Sequence, residues 1–96
     1  MTALPLTFGQ QLCKVRNEAG MSSYRLAVAS GFDHSHISRL QSGERNPSRE
    51  AVLRIAEVMR CTPLERDRLL VLAGHMPEGD GIRKMIYLSL WGEYVD

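Results

Sequence analysis

A run of hydrogen-bonding side chains between residues 34 and 42 carries the clearest chemical signal in this sequence. Its polar members are His34, Ser35, His36, Ser38, Arg39, Gln41 and Ser42. None of them is an acid, so a helix presenting these side chains would suit a position among phosphate groups. Imidazole, hydroxyl, amide and guanidinium groups can also exchange hydrogen bonds with the edges of bases. The residue types therefore favour contact with a nucleic acid.

The other reactive residue types form no pattern that predicts catalysis or metal binding. Cys13 and Cys61 have no nearby cysteine partner, and the spacing of His34, His36 and His75 fits no structural zinc site. The serines have no histidine and acid placed to activate them. We therefore expect no enzyme, no metal site and no cofactor. We expect Cys61 to be a buried, inert thiol and Cys13 to lie on the more exposed side of its helix.

The composition predicts one small domain in a reducing cytoplasm. The chain has 96 residues and a mass of 10.8 kDa, which suits a single compact unit. No apolar run reaches the roughly 18 residues of a membrane span, and residues 1–6 lack the pattern of a secretory signal. Two cysteines are too few for a disulfide framework.

Charge is distributed unevenly, although the net charge is only +1. Residues 1–60 contain eight Lys and Arg against five Asp and Glu, which gives +3. Residues 61–96 contain four bases and six acids, which gives −2. A mildly basic first part is compatible with DNA binding there.

Start and stop residues divide the sequence into five predicted helices. The predicted N-terminal caps are Thr7, Ser22 or Ser23, Asp33, Ser48 and Thr62. The glycines that follow four of the helices are Gly20, Gly31, Gly43 and Gly74. Phe8, Leu12, Val15 and Ala19 predict the apolar stripe of the first helix. The pattern predicts an all-α fold.

The spacing between the second and third helices predicts a tight helix pair. Ala27 lies four residues before Gly31, and Ile37 and Leu40 follow that glycine by six and nine residues. A small alanine permits close approach of two helices joined by a short turn. Gly31 tolerates the positive φ that such a turn requires. Phe32 can tuck beneath the turn, while Ile37 and Leu40 face the core.

The C-terminal part of the sequence is apolar and ambiguous. Residues 75–81 are predicted to form a connector, and 82–96 an extension. Residues 82–95 fit a helical stripe, but residues 86, 88 and 90 also alternate as in a strand; the helix is favoured. The extension is too apolar for a free end, so we expect it to pack on its own bundle or, by preference, to form a homodimer. The predicted dimerisation residues are Ile82, Ile86, Leu90, Trp91 and Tyr94.

Taken together, residues 7–73 resemble the phage-repressor-like (Xre/Cro-type) helix-turn-helix DNA-binding family. The matching segments are Phe8-Gly9-Gln10-Gln11-Leu12, Arg16, Ala19-Gly20, Leu26-Ala27, Gly31-Phe32, Ile37-Ser38, Leu40, Gly43, Asn46-Pro47-Ser48, Ala51-Val52-Leu53 and Ile55-Ala56. The resemblance implies a five-helix bundle over residues 7–74 and a bacterial or phage-encoded, nucleoid-associated protein. It also implies that helix 33–42 enters the major groove of double-stranded DNA.

The resemblance further implies which residues contact DNA. The implied base-reading residues are His34, Ser35, Ser38 and Arg39. The implied phosphate contacts are Ser23, His36, Ser42, Arg45 and Asn46. Arg16 and Gln41 occupy positions where the family often has a buried Arg–Glu ion pair, so here the arginine would have a neutral partner.

These expectations favour a homodimeric transcriptional repressor that reads an inverted-repeat operator. An antitoxin of the same fold would instead use its C-terminal segment to bind a toxin. A protein-interaction adaptor would use the fold without reading DNA. Co-purification with a small protein would indicate the antitoxin, and salt-insensitive partner binding would indicate the adaptor.

Overall fold

The computed structural model describes residues 6–79, and every regular element in that range is an α-helix. The helices are α1 (Phe8–Glu18), α2 (Ser23–Ser30), α3 (His34–Ser42), α4 (Arg49–Val58) and α5 (Pro63–Leu72). The prediction of an all-α, five-helix domain is thus confirmed. The C-terminal extension, including the choice between helix and strand, lies outside the described residues.

Four of the five predicted N-terminal caps make the expected hydrogen bond. Thr7, Ser22, Ser48 and Thr62 each accept from a backbone N–H three residues later, at 3.0–3.1 Å. Thr7 and Thr62 also form complete capping boxes, with Gln10 and Glu65 returning the bond. Asp33 is the exception. It occupies the N-cap position of α3 as predicted, but its side chain accepts no capping hydrogen bond.

One apolar core joins all five helices. Its fully buried members are Leu12, Leu26, Ile37, Leu40, Val52, Ile55, Leu69 and Leu70. Ala19, predicted to extend the apolar stripe of α1, is instead exposed at the C-cap. The stripe of α1 therefore ends at Val15, because the helix stops before it completes another turn over the core.

The turn between α2 and α3 has the expected construction. Gly31 adopts a φ of 79°, which an L side chain would strain, and its N–H donates to the Ala27 carbonyl at 3.0 Å. Ala27 is 2% exposed, as the close helix approach requires. Phe32 is half-buried beside the core, and the Arg54 guanidinium lies 5.1 Å from its ring centre.

A second close approach joins α1 to the end of α3. Gly9 is buried, and a Cβ built on it would meet the backbone carbonyls of Gln41 and Leu40, the latter at 2.9 Å. Backbone cannot yield as a flexible side chain can. Gly9 therefore sets how closely α1 packs on α3.

Candidate nucleic-acid interface

α3 presents a polar face to solvent, opposite the side that it buries. Ile37 and Leu40 are fully buried and fix the orientation of the helix. All four predicted base-reading residues are exposed: His34, Ser35, Ser38 and Arg39. The structure thus brings these four residues together on one helix. Within residues 6–79, the Arg39 guanidinium makes no hydrogen bond or ion pair, so its donors remain available.

The two histidines of α3 lie against aromatic rings on its flanks. The His34 ring centre is 6.2 Å from that of Tyr24 on α2, in a tilted arrangement. The His36 ring centre is 5.0 Å from that of Phe32, again tilted. His36 is half-buried by this contact, unlike the exposed His34. Its imidazole packs on the same phenyl ring that Arg54 covers.

A polar network around Gln41 joins α1, α2 and α3. The Gln41 Oε1 atom accepts a hydrogen bond from Arg16 Nε at 2.8 Å. Gln41 also exchanges hydrogen bonds with the Ser23 hydroxyl, at 3.1–3.2 Å, and Cys13 Sγ lies 3.5 Å from Oε1. Arg16 Nη1 donates to the Met21 carbonyl at 2.8 Å. The Arg16–Gln41 contact expected from the sequence is present, and it reaches the first residue of α2.

This network places Ser23, a predicted phosphate contact, at the N-terminus of α2. Ser22 Oγ caps the helix by accepting from Arg25 N, while the Ser23 hydroxyl is shared with Gln41. Helix N-terminal N–H groups favour anions through hydrogen bonding and the helix dipole. The α2 terminus can therefore hold a phosphate even where the short Ser23 side chain does not reach it.

The loop after α3 carries the remaining predicted phosphate contacts. Ser42 and Arg45 are exposed, and the Ser42 hydroxyl donates to the Arg39 carbonyl at 3.2 Å. Asn46 is directed differently: its Nδ2 donates to the Ala73 carbonyl, at the end of α5, at 3.0 Å. The predicted dimerisation residues, 82–94, lie outside the described residues.

Both cysteines are half-buried, so Cys61 is less buried than the sequence predicted. Cys61 is half-buried, and burial together with the nearby Glu65 charge raises the pKa of its thiol to about 11. This thiol therefore stays protonated at neutral pH. Over residues 6–79, no cluster of three His, Cys, Asp or Glu side chains could hold a metal ion.

Sequence reasoning missed the polar contacts that follow α5. Asp67 is fully buried, and its Oδ1 accepts from Arg66 Nε and from the Glu78 N–H, both at 3.0 Å. His75, assigned to a connector, lies with a ring nitrogen 3.0 Å from the Pro47 carbonyl oxygen. One signal was present: Asp67 lies three residues before Leu70, on the buried side of α5.

Comparison with known proteins agrees with this geometry. The profile of the helix-turn-helix domain family matches residues 7–69. The chain belongs to the helix-turn-helix domain family. The family profile stops matching at residue 69, inside α5, so residues 70–79 lie beyond the matched helix-turn-helix domain.

A similar protein is RghRB of Bacillus subtilis (strain 168), named as an uncharacterized HTH-type transcriptional regulator. It is 32% identical over 69 residues, which make up 72% of this chain and 48% of RghRB. The chain therefore spans about half the length of this helix-turn-helix relative. No solved structure matches. Within residues 6–79 no helix is long and apolar enough to cross a membrane.

Proposed function

We propose that this helix-turn-helix chain binds double-stranded DNA sequence-specifically and regulates transcription as a homodimeric repressor. The observation that carries the proposal is the exposed polar face of α3, held by the buried Ile37 and Leu40. Inserted into the major groove, this face presents a guanidinium, an imidazole and two hydroxyls to base edges. The regulator name of the Bacillus subtilis relative supports the same function.

Arg39 and Arg45 have different roles in this proposal. Arg39 reads a guanine through its O6 and N7 atoms, a contact worth about 1–3 kcal/mol of discrimination. Arg45 lies in the loop after α3 and holds a backbone phosphate, which adds affinity without sequence preference. His34, Ser35 and Ser38 contact neighbouring bases, while Ser23, His36 and Ser42 lie towards the backbone.

The proposed dimer places two copies of α3 on one face of the duplex. Twofold symmetry sets the two recognition helices about 34 Å apart, one helical turn of DNA. An operator with this symmetry is an inverted repeat. The apolar residues of the 82–96 segment supply the dimer contact in this proposal, as their composition suggests.

Selection of bound duplexes from a random DNA library, at about physiological salt, tests the proposal. We expect an enriched inverted repeat whose half-sites are about one helical turn apart. Sedimentation of the protein–DNA complex should give two chains per duplex. Absence of any enriched sequence would refute sequence-specific binding, and an enriched single half-site bound by one chain would refute the dimer.

Two arginine variants test the assigned roles. Arg39→Ala should reduce discrimination at one base pair by about 5- to 150-fold, the equivalent of 1–3 kcal/mol. Arg45→Ala should weaken binding to all sequences alike and reduce the salt dependence by about one phosphate contact. Arg60→Gly, at the far end of α4 from this loop, is the control for loss of charge. Equal losses on every sequence for the two alanine variants would contradict the assignment.

A further inference from the structure

The segment that follows α5 is fastened to the loop that follows α3. We define the strap as residues 73–78 and the α3 loop as residues 43–48. Asn46 Nδ2 in the α3 loop donates to the Ala73 carbonyl of the strap at 3.0 Å. His75 Nε2 lies 3.0 Å from the Pro47 carbonyl oxygen and must donate to it, because a carbonyl only accepts. The strap thus contacts two adjacent residues of the α3 loop, Asn46 and Pro47.

Further contacts hold the strap beside the start of α4. Arg49 Nη1 donates to the Met76 carbonyl at 2.6 Å, and the same guanidinium pairs with the Glu78 carboxylate. Both side chains of that ion pair are partly exposed, so the pair alone contributes little stability. Arg49 therefore acts as one of several attachments of the strap.

The strap is itself anchored to the bundle and can serve as a fixed support. Pro77 is fully buried, and the His75 N–H donates to the Leu70 carbonyl at 2.8 Å. The Glu78 N–H donates at 3.0 Å to Oδ1 of Asp67, a carboxylate with no solvent exposure. A buried carboxylate needs such donors, so this contact specifies where the strap lies.

On its other side the α3 loop is attached to the recognition helix. The Arg45 N–H donates to the Arg39 carbonyl at 3.2 Å, and Gly43 turns the chain with a φ of 88°. The backbone of Arg45 is therefore held between α3 and the residues that contact the strap. Its side chain is exposed and makes no hydrogen bond or ion pair within residues 6–79.

We propose that Asn46 and His75 are positioning residues that fix Arg45 for its phosphate contact, and that Asn46 does not itself hold a phosphate. This inference rests on the DNA binding proposed above. A phosphate oxygen only accepts hydrogen bonds, so Asn46 could offer it only Nδ2. One of the two N–H groups on that atom already donates to the Ala73 carbonyl, at the end of α5, so the amide is oriented by that contact rather than by the duplex. The proposal replaces the phosphate role that family resemblance implied for Asn46.

His75 is a positioning residue of a kind that family resemblance did not identify. It lies outside the matched residues 7–69, and its ring contacts the loop through a backbone carbonyl. Its substitution removes one of the two contacts that locate Pro47 and Asn46. Arg45 then samples more positions, so ordering it against the phosphate costs more entropy and the contact forms in a smaller share of the complexes.

The test measures the binding of the full 96-residue chain to a labelled duplex of mixed sequence. Mixed sequence is appropriate because phosphate contacts do not depend on base identity. The variants are His75→Ala, His75→Gln and Asn46→Ala, each alone and combined with Arg45→Ala. Met76→Ala is the matched control, since the strap uses the Met76 carbonyl and leaves its side chain half-exposed.

The slope of log affinity against log salt is the deciding readout. Each lost phosphate contact lowers the slope by about 0.9, so the change in Kd between 50 and 200 mM salt shrinks by roughly 3.5-fold. His75→Ala and Asn46→Ala should each lower the slope by up to this amount. His75→Gln retains a donor and should restore it, and Met76→Ala should match the unaltered chain. Neither His75→Ala nor Asn46→Ala should change the slope once Arg45 is alanine.

Several outcomes would overturn the inference. If Asn46→Ala alone lowers the slope and His75→Ala leaves it unchanged, Asn46 contacts phosphate directly. If either variant lowers the slope as much in the Arg45→Ala background, the strap does not act through Arg45. Thermal melts identify any unfolded variant; were His75→Ala unfolded, Asn46→Ala in the two backgrounds would still decide. An unaltered chain that binds no duplex would refute the proposed DNA binding itself, which distinguishes that failure from this one.

Discussion

Replacing Gln41 with glutamate should stabilise the fold and weaken DNA binding. Gln41 Oε1 accepts from Arg16 Nε at 2.8 Å, so a carboxylate in the same place would form a charge-assisted hydrogen bond. Arg16 and Gln41 are both half-buried, which makes screening by water weaker than at an exposed pair. The same carboxylate would lie beside Ser23 at the N-terminus of α2, where the proposed function places a phosphate.

We expect Gln41→Glu to raise the free energy of unfolding and to lower the affinity for DNA by modest amounts. Two unit charges 4 Å apart attract by about 4 kcal/mol at an effective dielectric constant of 20, whereas exposed pairs contribute only about 0.2–1 kcal/mol. Desolvation and the negative end of the α3 dipole oppose the gain, the latter by about 0.3–1 kcal/mol. We expect a net gain of about 1 kcal/mol, or roughly 4–8 °C in Tm for a domain of this size. Two unit negative charges repel by about 0.6 kcal/mol in water at a separation of about 7 Å, so a phosphate bound at that distance would lose roughly 3-fold in affinity.

Chemical denaturation at neutral pH measures the first effect, and duplex binding at low salt measures the second. Asn17→Asp is the matched control, since it makes the same amide-to-acid change in the last turn of α1 at an exposed position. That variant should lose a few tenths of a kcal/mol, because the acid lies near a helix C-terminus. The gain from Gln41→Glu should vanish in acid, where the new carboxylate is protonated.

A double-mutant cycle with Arg16→Ala tests whether the gain in stability from Gln41→Glu comes from its contact with Arg16. With the arginine removed, the added carboxylate should give no gain and should destabilise the fold. An unchanged or lower stability for Gln41→Glu alone would refute the account of this pair. Unchanged duplex affinity would refute the placement of a phosphate near Ser23.

Further predictions concern three single positions. Gly9→Ala should cost about 1–3 kcal/mol in chemical denaturation, because its Cβ meets backbone, including the Leu40 carbonyl oxygen at 2.9 Å; an unchanged stability would contradict the close helix contact. Arg60→Gly should add up to about 1 kcal/mol, since Arg60 has a φ of 56° where an L residue is strained; a lower melting temperature would contradict this. Burial and the Glu65 charge raise the pKa of Cys61 from 9.0 to about 11, so its native thiolate fraction at pH 8 is about 100-fold below that of a thiol at 9.0. Native-state labelling should therefore be slow at Cys61 and become fast in urea, and equal rates would refute its burial. The same raised pKa makes the thiol's contribution to stability present below about pH 9 and lost as the pH rises towards 11.

The helices could be predicted because their ends are encoded locally. Thr62 caps α5 through its own side chain, Pro63 occupies the first turn, and Glu65 returns the bond within three residues. Gly31 ends α2 because glycine readily adopts the positive φ of this position, and that preference depends only on the residue type. Asp33 shows the limit of such signals. The position of its backbone could be predicted, but the direction of its side chain depends on the surrounding structure.

The contacts that could not be predicted join residues far apart in the chain. Gly9 within a helical pattern indicates a packing reason, because glycine costs about 1 kcal/mol relative to alanine there. Its partner at the end of α3 becomes evident only when α1 and α3 are packed together. Asp67 and His75 likewise contact backbone groups, and no residue type in the sequence marks a backbone acceptor or donor.

The sequence predicted which side chains α3 exposes, but it did not predict the contacts that hold the loop after α3. The helical period of the apolar residues predicts that Ile37 and Leu40 face the core. Ser35, Ser38 and Arg39 must then lie on the exposed face of α3. Family resemblance treated Asn46 as one more phosphate contact. In the structure its amide donates to the Ala73 carbonyl at the end of α5. This contact could not be predicted because it depends on where the strap lies.

The neutral partner of Arg16 makes physical sense once DNA binding is considered with folding. Gln41 receives the Arg16 hydrogen bond and also reaches the Ser23 hydroxyl, so it ties α1 and α3 to the start of α2 without adding a negative charge. A carboxylate would hold Arg16 more strongly, but it would lie where the proposed function places a phosphate, at the positive end of the α2 dipole. With glutamine, Arg16 has no ion-pair partner among residues 6–79, and in the proposed complex its positive charge adds to the attraction of the phosphate. We therefore expect glutamine to lower stability modestly and to favour phosphate binding at the proposed site, and we expect Gln41→Glu to reverse both effects together.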